Sequence, residues 1–249
     1  MPEIPSLAVV VPMFNEAEGA EECVRRVSAV LDGLRSRSVL VVVDDGSTDG
    51  TGEILQRIGV ATPRLVRVAH PHNHGYGAAL RTGVEEAARG GYDYVLFMDS
   101  DLTNDPRHIP DFLARMEEGY DVIKASRYVK GGGVLGVPAW KRAISRLGNH
   151  LARRLLGVPV RDCTNGFRAV KTALLTRMTL REPRFPVIME ELYQAKYLAR
   201  TFVEIPNTLT IRVGARRPSS FSFRPSVLWK YLKYPLLAAL GRRPRLLSD

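Results

Sequence analysis

The sequence has little cysteine, no long apolar run and, in two of its segments, no acidic residue at all. Its two cysteines, Cys23 and Cys163, are far apart, and no basic and then apolar leader opens the chain, which argues against secretion and a disulfide framework. No apolar run approaches the roughly 20 residues that a membrane-spanning helix needs. We therefore expect a cytoplasmic protein that buries both thiols and does not cross a membrane.

Charge is distributed unevenly along the chain. Residues 1–121 contain 11 Lys and Arg against 20 Asp and Glu, whereas residues 122–249 contain 25 against 6. Such a basic half suits anionic lipid headgroups or phosphorylated ligands. Nucleic acid is not an expected partner, because the sequence has no zinc-finger spacing, no aromatic RNA-binding signature and no obvious helix-turn-helix.

Short β-rich runs alternate with helical segments in the first half of the chain. The predicted strands are 7–11, 39–43, 64–69, 94–98 and 121–126, and the predicted helices between them are 16–35, 49–58, 76–90 and 106–117. Several strands are apolar at consecutive positions, as in a sheet covered on both faces. The alternation predicts an α/β fold with a doubly wound, mostly parallel sheet flanked by helices.

The two segments without acidic residues are predicted to be amphipathic. Residues 139–157 form a helix whose apolar stripe consists of Trp140, Ile144, Leu147, Leu151 and Leu155. Residues 225–245 combine aromatic and cationic side chains, as an interfacial anchor does, and Pro235 should interrupt a helix there. A helix docked on the core is the alternative for this second segment. A further helix at 186–199 and a strand at 202–213 are also predicted.

Two aspartates follow a strongly apolar strand, in the run YVLFMDSD at residues 94–101. Asp99 and Asp101 are two positions apart, so both side chains can point to the same side of an extended chain. Together they can hold a divalent cation against a diphosphate and neutralise charge on a leaving nucleotide. A solvated turn after a buried strand is the alternative interpretation.

Polar segments also follow the other predicted strands, where ligands of parallel sheets collect. Asp44 can accept hydrogen bonds from a base or ribose there. Ser47 or Thr48 is expected to cap the helix that comes next. Gly75 and Gly77 would let the backbone approach a ligand closely, or would simply begin a helix.

Six segments occur in an order and spacing that resembles the family 2 glycosyltransferases of GT-A fold. They are VVVPMFNE, VVVDDGSTDGT, NHGYGAALRTG, MDSDLTNDP, ASRY and DCTNGFRAV, and the similarity extends over residues 5–215. The sequence is most similar to the polyprenyl-phosphate branch, which resembles dolichol-phosphate mannose synthase. The resemblance implies a GT-A, Rossmann-like sheet and an inverting, metal-dependent glycosyltransferase.

The resemblance also assigns roles to residues of these motifs. Arg127 would bind phosphate with its planar guanidinium, and Asp162 would line the site. Asp105 would either support the metal ligands or cap the helix that begins near Pro106. A Mg²⁺ or Mn²⁺ ion would bind at the aspartate pair, with Asp101 as its principal protein ligand. The resemblance places the donor nucleotide, its diphosphate and the metal at Pro12, Phe14, Glu16, Asp44, Gly75, Asp99, Ser100 and Asp101.

For the acceptor, the resemblance points to the start of helix 139–157. Lys141, Arg142 and Ser145 match the region where relatives hold the acceptor phosphate, with the solvated face of a helix as the alternative. Asp162 or Glu191 would be needed as a general base only for a hydroxyl acceptor, because a lipid phosphate is already an anionic nucleophile. Glu190 and Glu191 are expected to lie on a helix surface.

One departure concerns the end of the catalytic region. Many relatives have a Gly-x-Ser-Lys segment after the last strand, and this chain has RVGARRPSSFSF instead, without lysine. Arg212, or else Arg216 or Arg217, is the expected substitute at the donor diphosphate. Several relatives also append transmembrane helices after the catalytic domain. We expect this chain to work peripherally on the cytoplasmic face of the membrane, or with a partner protein that supplies the anchor.

We expect one catalytic domain at 1–215 and a basic, amphipathic membrane-surface segment at 216–249. Within the catalytic domain, residues 1–128 form the nucleotide-sugar half and 129–215 the acceptor half. The expected activity is transfer of a hexose, with mannose from GDP-mannose favoured, to a polyprenyl or dolichyl phosphate. The alternatives are a UDP-glucose donor, a saccharide hydroxyl acceptor, and a protein that only binds sugar nucleotides or lipids.

Overall fold

The computed structural model describes residues 4–210 and 225–247, without the side chains of residues 225–228. The strands are β1 (Leu7–Met13), β2 (Ser38–Asp44), β3 (Leu65–Ala69), β4 (Tyr94–Phe97), β5 (Val122–Ser126), β6 (Gly133–Val134), β7 (Arg168–Lys171), β8 (Phe202–Pro206) and β9 (Thr208–Leu209). The helices are α1 (Ala20–Asp32), α2 (Thr51–Gly59), α3 (Tyr76–Arg89), α4 (Ile109–Glu117), α5 (Ala139–Leu156), α6 (Thr172–Leu175), α7 (Val187–Leu198) and α8 (Pro225–Ala239). A 3₁₀ turn at Pro106–His108 precedes α4.

The central sheet has seven strands in the order β3-β2-β1-β4-β7-β5-β8. All its pairings are parallel except those of β7, which runs antiparallel between β4 and β5. The predicted α/β fold with a mostly parallel sheet is confirmed. Because β7 runs in reverse, its beginning lies at the same edge as the carboxyl ends of its neighbours. The sequence did not predict this strand, which brings the preceding segment, residues 162–167, to that edge.

The sheet is covered on both faces, as the consecutive apolar residues predicted. In β1, Val9 and Val11 pack on one face with residues of α1 and α4, whereas Ala8 and Val10 pack on the other with residues of α3 and α7. Burying each such side chain contributes about 1.5–3 kcal/mol. Cys23 and Cys163 are buried thiols, as expected.

The helices α5 and α8 form a separate layer together with α7. Ala152 and Leu156 of α5 pack with Tyr234 and Ala238 of α8 in a third apolar cluster. The prediction that Pro235 interrupts the helix is wrong, since α8 continues to Ala239. A proline inside a helix removes one backbone hydrogen bond and costs about 3 kcal/mol, and the burial of Tyr234 and Ala238 in this cluster offsets that cost.

The apolar stripe of α5 faces away from the protein. Trp140, Ile144, Leu147 and Leu151 are exposed, and the exposed fraction of Leu147 reaches 69%. Only Asn149, Ala152 and Leu156 of this helix are buried. In the part of the chain that the structure describes, no helix combines the length and the apolar character that crossing a bilayer requires.

Candidate active site

The motif residues meet at the carboxyl edge of the sheet. Asp44 ends β2, Asp99 and Asp101 follow β4, and Arg127 follows β5. The neighbouring order of these strands brings the side chains of distant segments to one edge, as in other open α/β sheets. The beginning of the reversed strand β7 adds Asp162 and the turn after it.

One side of this edge forms an open cavity of about 240 Å³ beside Asp44. The Asp44 carboxylate is buried, and its Oδ1 accepts a hydrogen bond from Ser47 N at 3.0 Å. Its Oδ2 lies 3.9 Å from the guanidinium Nη2 of Arg67, a cation that sequence reasoning missed. Gly52 and Gln56 of α2 also line the cavity. A carboxylate and a guanidinium side by side can bind both donors and acceptors of a nucleobase.

The loop after β1 is tied to the loop after β2. The backbone N–H of Asn15 donates to Ser47 Oγ at 2.9 Å, and Thr48 N donates to Asn15 Oδ1 at 2.8 Å. The prediction that Ser47 or Thr48 caps α2 is therefore wrong, since the cap position is Gly50. Their side chains and backbone instead connect the two loops. Pro12, near the end of β1, and Glu16, in the loop, are partly exposed, and Phe14 is exposed.

Asp45 organises the loop after β3. Its buried carboxylate accepts from the backbone N–H of His74 at 2.9 Å and of Gly75 at 2.7 Å, and it lies 2.7 Å from His70 Nδ1. Gly75 and Gly77 were expected to let the backbone approach a ligand, and here they let it approach another segment of the chain, at Pro183. A Cβ on Gly75 would lie 2.3 Å from Pro183 O, and Gly77 donates to that same carbonyl.

Asp99 and Asp101 lie together just after β4, where both are partly exposed, with Ser100 between them. Asp99 Oδ1 accepts from the hydroxyl of Tyr76 at 3.1 Å. Asp101 Oδ1 accepts from N and Oγ1 of Thr103 at 3.1 and 2.8 Å.

Paired carboxylates fit Mg²⁺ or Mn²⁺, because such ions bind hard oxygen ligands and often complete their coordination with substrate phosphates. No set of three His, Cys, Asp or Glu side chains converges on a metal position within residues 4–210 and 225–247. Asp105 caps the 3₁₀ turn, since its Oδ1 accepts from Arg107 N at 2.9 Å.

Arg127 and Asp162 form an ion pair at the same edge, in which Asp162 is fully buried and the Arg127 side chain is 14% exposed. Nε and Nη2 of Arg127 donate to the two carboxylate oxygens of Asp162 at 2.7 and 2.8 Å, and Nη2 also reaches Thr164 Oγ1 at 2.8 Å. Burial opposes the ionised form of Asp162, but Arg127 outweighs it and holds the pKa of this carboxyl below its usual value. The planar guanidinium of Arg127, which was predicted to bind a phosphate, therefore binds Asp162.

Helix α5 is joined to this pair through Tyr128. The Tyr128 hydroxyl lies 2.8 Å from Ser145 Oγ, and the guanidinium of Arg146 lies 5.8 Å from the Tyr128 ring centre. Arg142 is exposed one turn earlier on the helix, and Lys141 is partly exposed beside it.

Asn149, which sequence reasoning missed, is buried one turn beyond Ser145, and its Oδ1 accepts from the backbone of Cys163 at 2.8 Å. It connects α5 to the segment that carries Asp162.

Glu190 and Glu191 are buried, so the prediction that they lie on a helix surface is wrong. Glu190 Oε2 accepts from the backbone N–H of Arg181 and of Glu182 at 2.8 Å. Glu191 pairs with buried Arg168 of β7, through bonds of 2.6 and 2.5 Å. The sequence did contain a signal for this burial. Arg168 stands in the apolar run GFRAV, and the two glutamates stand in the apolar run VIMEELY.

Lys124 of β5 is a second buried cation below this edge. Its Nζ donates to Asn165 O at 3.0 Å. Burial and the nearby Arg168 lower the pKa of Lys124 to about 8, against the opposing effect of Asp162. Arg212 and the boundary between 215 and 216 lie outside the described residues, so they remain predictions.

Comparison with known proteins agrees with the motifs. Residues 8–178 match the family model described as glycosyl transferase family 2. Polyprenol monophosphomannose synthase of Mycolicibacterium smegmatis is 31% identical over 94% of this chain and 88% of its own length. Dolichol-phosphate mannosyltransferase of Pyrococcus furiosus is 32% identical over 92% of this chain and 62% of its own length.

Other relatives carry other names. An undecaprenyl-phosphate 4-deoxy-4-formamido-L-arabinose transferase of Pseudomonas savastanoi is 31% identical over 97% of this chain and 68% of its own length. Among solved structures, glucosyl-3-phosphoglycerate synthase of Mycobacterium tuberculosis with Mn²⁺, UDP-glucose and phosphoglyceric acid superimposes with a TM-score of 0.65. It covers 98% of this chain and 81% of its own, at 23% identity, which establishes a shared fold.

Proposed function

The chain belongs to glycosyl transferase family 2 and is a glycosyltransferase, and we propose that it moves a hexose from a nucleotide sugar to a polyprenyl phosphate with inversion. Mannose from GDP-mannose is the favoured donor. The names of the relatives that match most of this chain support the lipid phosphate acceptor. The observation that carries the proposal is the position of α5, which joins the catalytic edge to an exposed apolar surface.

The donor is assigned to the cavity beside Asp44 and to the aspartate pair. Asp44 and Arg67 line the cavity that we assign to the base. Pro12, Phe14, Glu16 and Gly75 are assigned to the same donor, since hydrogen bonds to Ser47 and Asp45 tie their segments to the loop after β2. Asp99 and Asp101 would hold a Mg²⁺ or Mn²⁺ ion, which when bound neutralises charge at the donor diphosphate.

The acceptor phosphate is assigned to the side of the edge near Arg127 and the start of α5. Ser145 is held there by Tyr128, and Arg142 lies one turn before it. Asp162 is poorly suited to remove a proton, because Arg127 holds its pKa low and occupies both carboxylate oxygens. This favours an acceptor that is already an anion over a saccharide hydroxyl.

The membrane is assigned to α5 and α8, on the cytoplasmic face. The outward stripe of α5 is apolar, cations flank it, and the helix contains no acid. Trp229 of α8 is 65% exposed. Apolar side chains among cations bind the boundary between headgroups and acyl chains, and each cation near an anionic surface adds about 1 kcal/mol. A partner protein would be a further source of anchoring.

Replacing Trp140 and Leu147 together with glutamate is expected to weaken binding to anionic vesicles at least about ten-fold, because both the apolar area and the favourable charge are lost. Both side chains are exposed, so the fold should be unaffected. Cosedimentation with vesicles of phosphatidylglycerol and phosphatidylcholine measures the change. Val60→Glu is the matched control, because Val60 is 90% exposed on another part of the surface. Equal binding by all three proteins would remove the membrane from the proposal.

A transfer assay tests the function directly. The chain is incubated with Mn²⁺, a polyprenyl phosphate and either labelled GDP-mannose or labelled UDP-glucose, and lipid-linked sugar is extracted. We expect lipid product with GDP-mannose and little with UDP-glucose. Transfer only to a saccharide hydroxyl would support the alternative acceptor. Tight donor binding without transfer or hydrolysis would indicate a sugar-nucleotide-binding protein.

A further inference from the structure

A buried ion pair lies directly below the aspartate pair. Arg168 and Glu191 are almost fully enclosed, and the guanidinium also donates to Gly166 O at 2.8 Å and lies 4.3 Å from the centre of the Phe97 ring. Removing two charges from water costs free energy that their attraction often only balances, so a buried pair is weak evidence of a stabilising role. What this ion pair contributes therefore depends on which groups of the site it contacts.

Tyr76 lies between this ion pair and Asp99. Its hydroxyl donates to Asp99 Oδ1 at 3.1 Å. The Arg168 guanidinium lies beside the same hydroxyl, on the side of the buried ion pair. A guanidinium only donates hydrogen bonds, so Arg168 beside the hydroxyl oxygen favours an orientation in which the Tyr76 hydrogen points to Asp99.

The surroundings leave Tyr76 and Asp99 little freedom. The ring of Tyr76 stacks on Phe185 with centroids 4.5 Å apart and planes inclined by 26°. A Cβ on Gly166 would lie 3.2 Å from Asp99 Oδ2 and 3.3 Å from the Tyr76 hydroxyl, so the backbone there closes over both groups. The contacts that hold these two groups come from the turn before β7, at Gly166, and from the segment before α7, at Phe185.

We propose that Tyr76, oriented by the Arg168–Glu191 pair, is a positioning residue that holds the Asp99 carboxylate in the geometry that binds the cation and diphosphate. The inference rests on the proposed function, because it assumes that Asp99 meets a cation. Groups that orient a metal ligand by hydrogen bonding affect metal affinity by roughly 10–100-fold when they are removed.

Tyr76→Phe tests this role with the loss of a single hydroxyl, since the ring that stacks on Phe185 is retained. We expect the Kd of Mn²⁺ in the presence of GDP or UDP to rise on the order of ten-fold, measured by titration calorimetry. Transfer activity should recover when Mn²⁺ is raised by the same factor, which a general structural defect would not allow. Tyr94→Phe is the matched control, because the Tyr94 hydroxyl donates to Tyr120 O away from the site.

A second variant tests the ion pair without leaving a buried charge. Arg168→Met combined with Glu191→Met should retain the fold in thermal unfolding, because apolar residues of similar volume commonly replace buried pairs without loss. We expect it to weaken Mn²⁺ binding as Tyr76→Phe does. Wild-type affinity in Tyr76→Phe would overturn the positioning role alone. Absence of Mn²⁺ binding by the wild-type chain with either nucleotide would overturn both this role and the proposed metal site.

Discussion

Asp101→Ala is expected to lower kcat/KM for sugar transfer by at least about a hundred-fold, because charge on the departing nucleotide would no longer be neutralised in the transition state. The variant should fold, since Asp101 is partly exposed and its hydrogen bonds to Thr103 are local to one turn. Steady-state kinetics with a saturating acceptor measures the change. Added Mn²⁺ should restore little activity, because the principal protein ligand itself is absent.

Asp111→Ala is the control for this prediction. Asp111 is an exposed acid of α4 whose carboxylate pairs with His108. It should retain wild-type turnover, because exposed ion pairs contribute about 0–1 kcal/mol and the site is untouched. Full turnover by Asp101→Ala would show that the metal assignment is wrong.

Asp162→Asn is expected to destabilise the protein by about 3 kcal/mol at neutral pH, because Arg127, only 14% exposed, would lose its charged partner. In a chain of this length this lowers the Tm by roughly 10 °C. Differential scanning calorimetry measures the shift. Asp32→Asn is the matched control: its carboxylate pairs with Arg64 but is 68% exposed, so a loss below about 1 kcal/mol is expected.

The same ion pair predicts how stability depends on pH. The pKa of Asp162 in the folded protein lies below its ordinary value of 3.8. Its contribution to stability is therefore complete above that value and is lost as the pH falls through the lower, folded pKa. We expect the difference in unfolding free energy between wild-type and Asp162→Asn to be constant near pH 7 and to shrink below about pH 3.8. A difference that grew on acidification would contradict the assignment.

Kinetics of the same variant distinguish the two acceptor classes. A role in orienting Arg127 predicts reduced transfer in Asp162→Asn together with reduced stability. A role as general base predicts that transfer disappears while folding and donor binding survive. The second outcome would favour a saccharide hydroxyl as acceptor.

The sequence was informative where function depends on local pattern. The apolar runs that end in Asp44 and Asp99 identified two strands and the edge on which their carboxylates meet, because strand, turn and side-chain direction follow from neighbouring residues. The apolar stripe of α5 likewise followed from the helical periodicity of its apolar residues. These features need only a few consecutive residues to be recognised.

Contacts between distant segments were not accessible in this way. The four-residue strand β7 is too short to show a period, and its reversed direction is set by pairing with β4 and β5. The pairing of Arg127 with Asp162, and the burial of Glu191 against Arg168, likewise join residues far apart in sequence.

The sequence by itself determined the α/β class, the family motifs and the two carboxylates of the proposed metal site, Asp99 and Asp101. Only the tertiary structure decided which charges neutralise one another beneath that site and which face of α5 remains exposed. The physical reason is that burial and ion pairing depend on which segments pack together, and packing is a property of the whole chain.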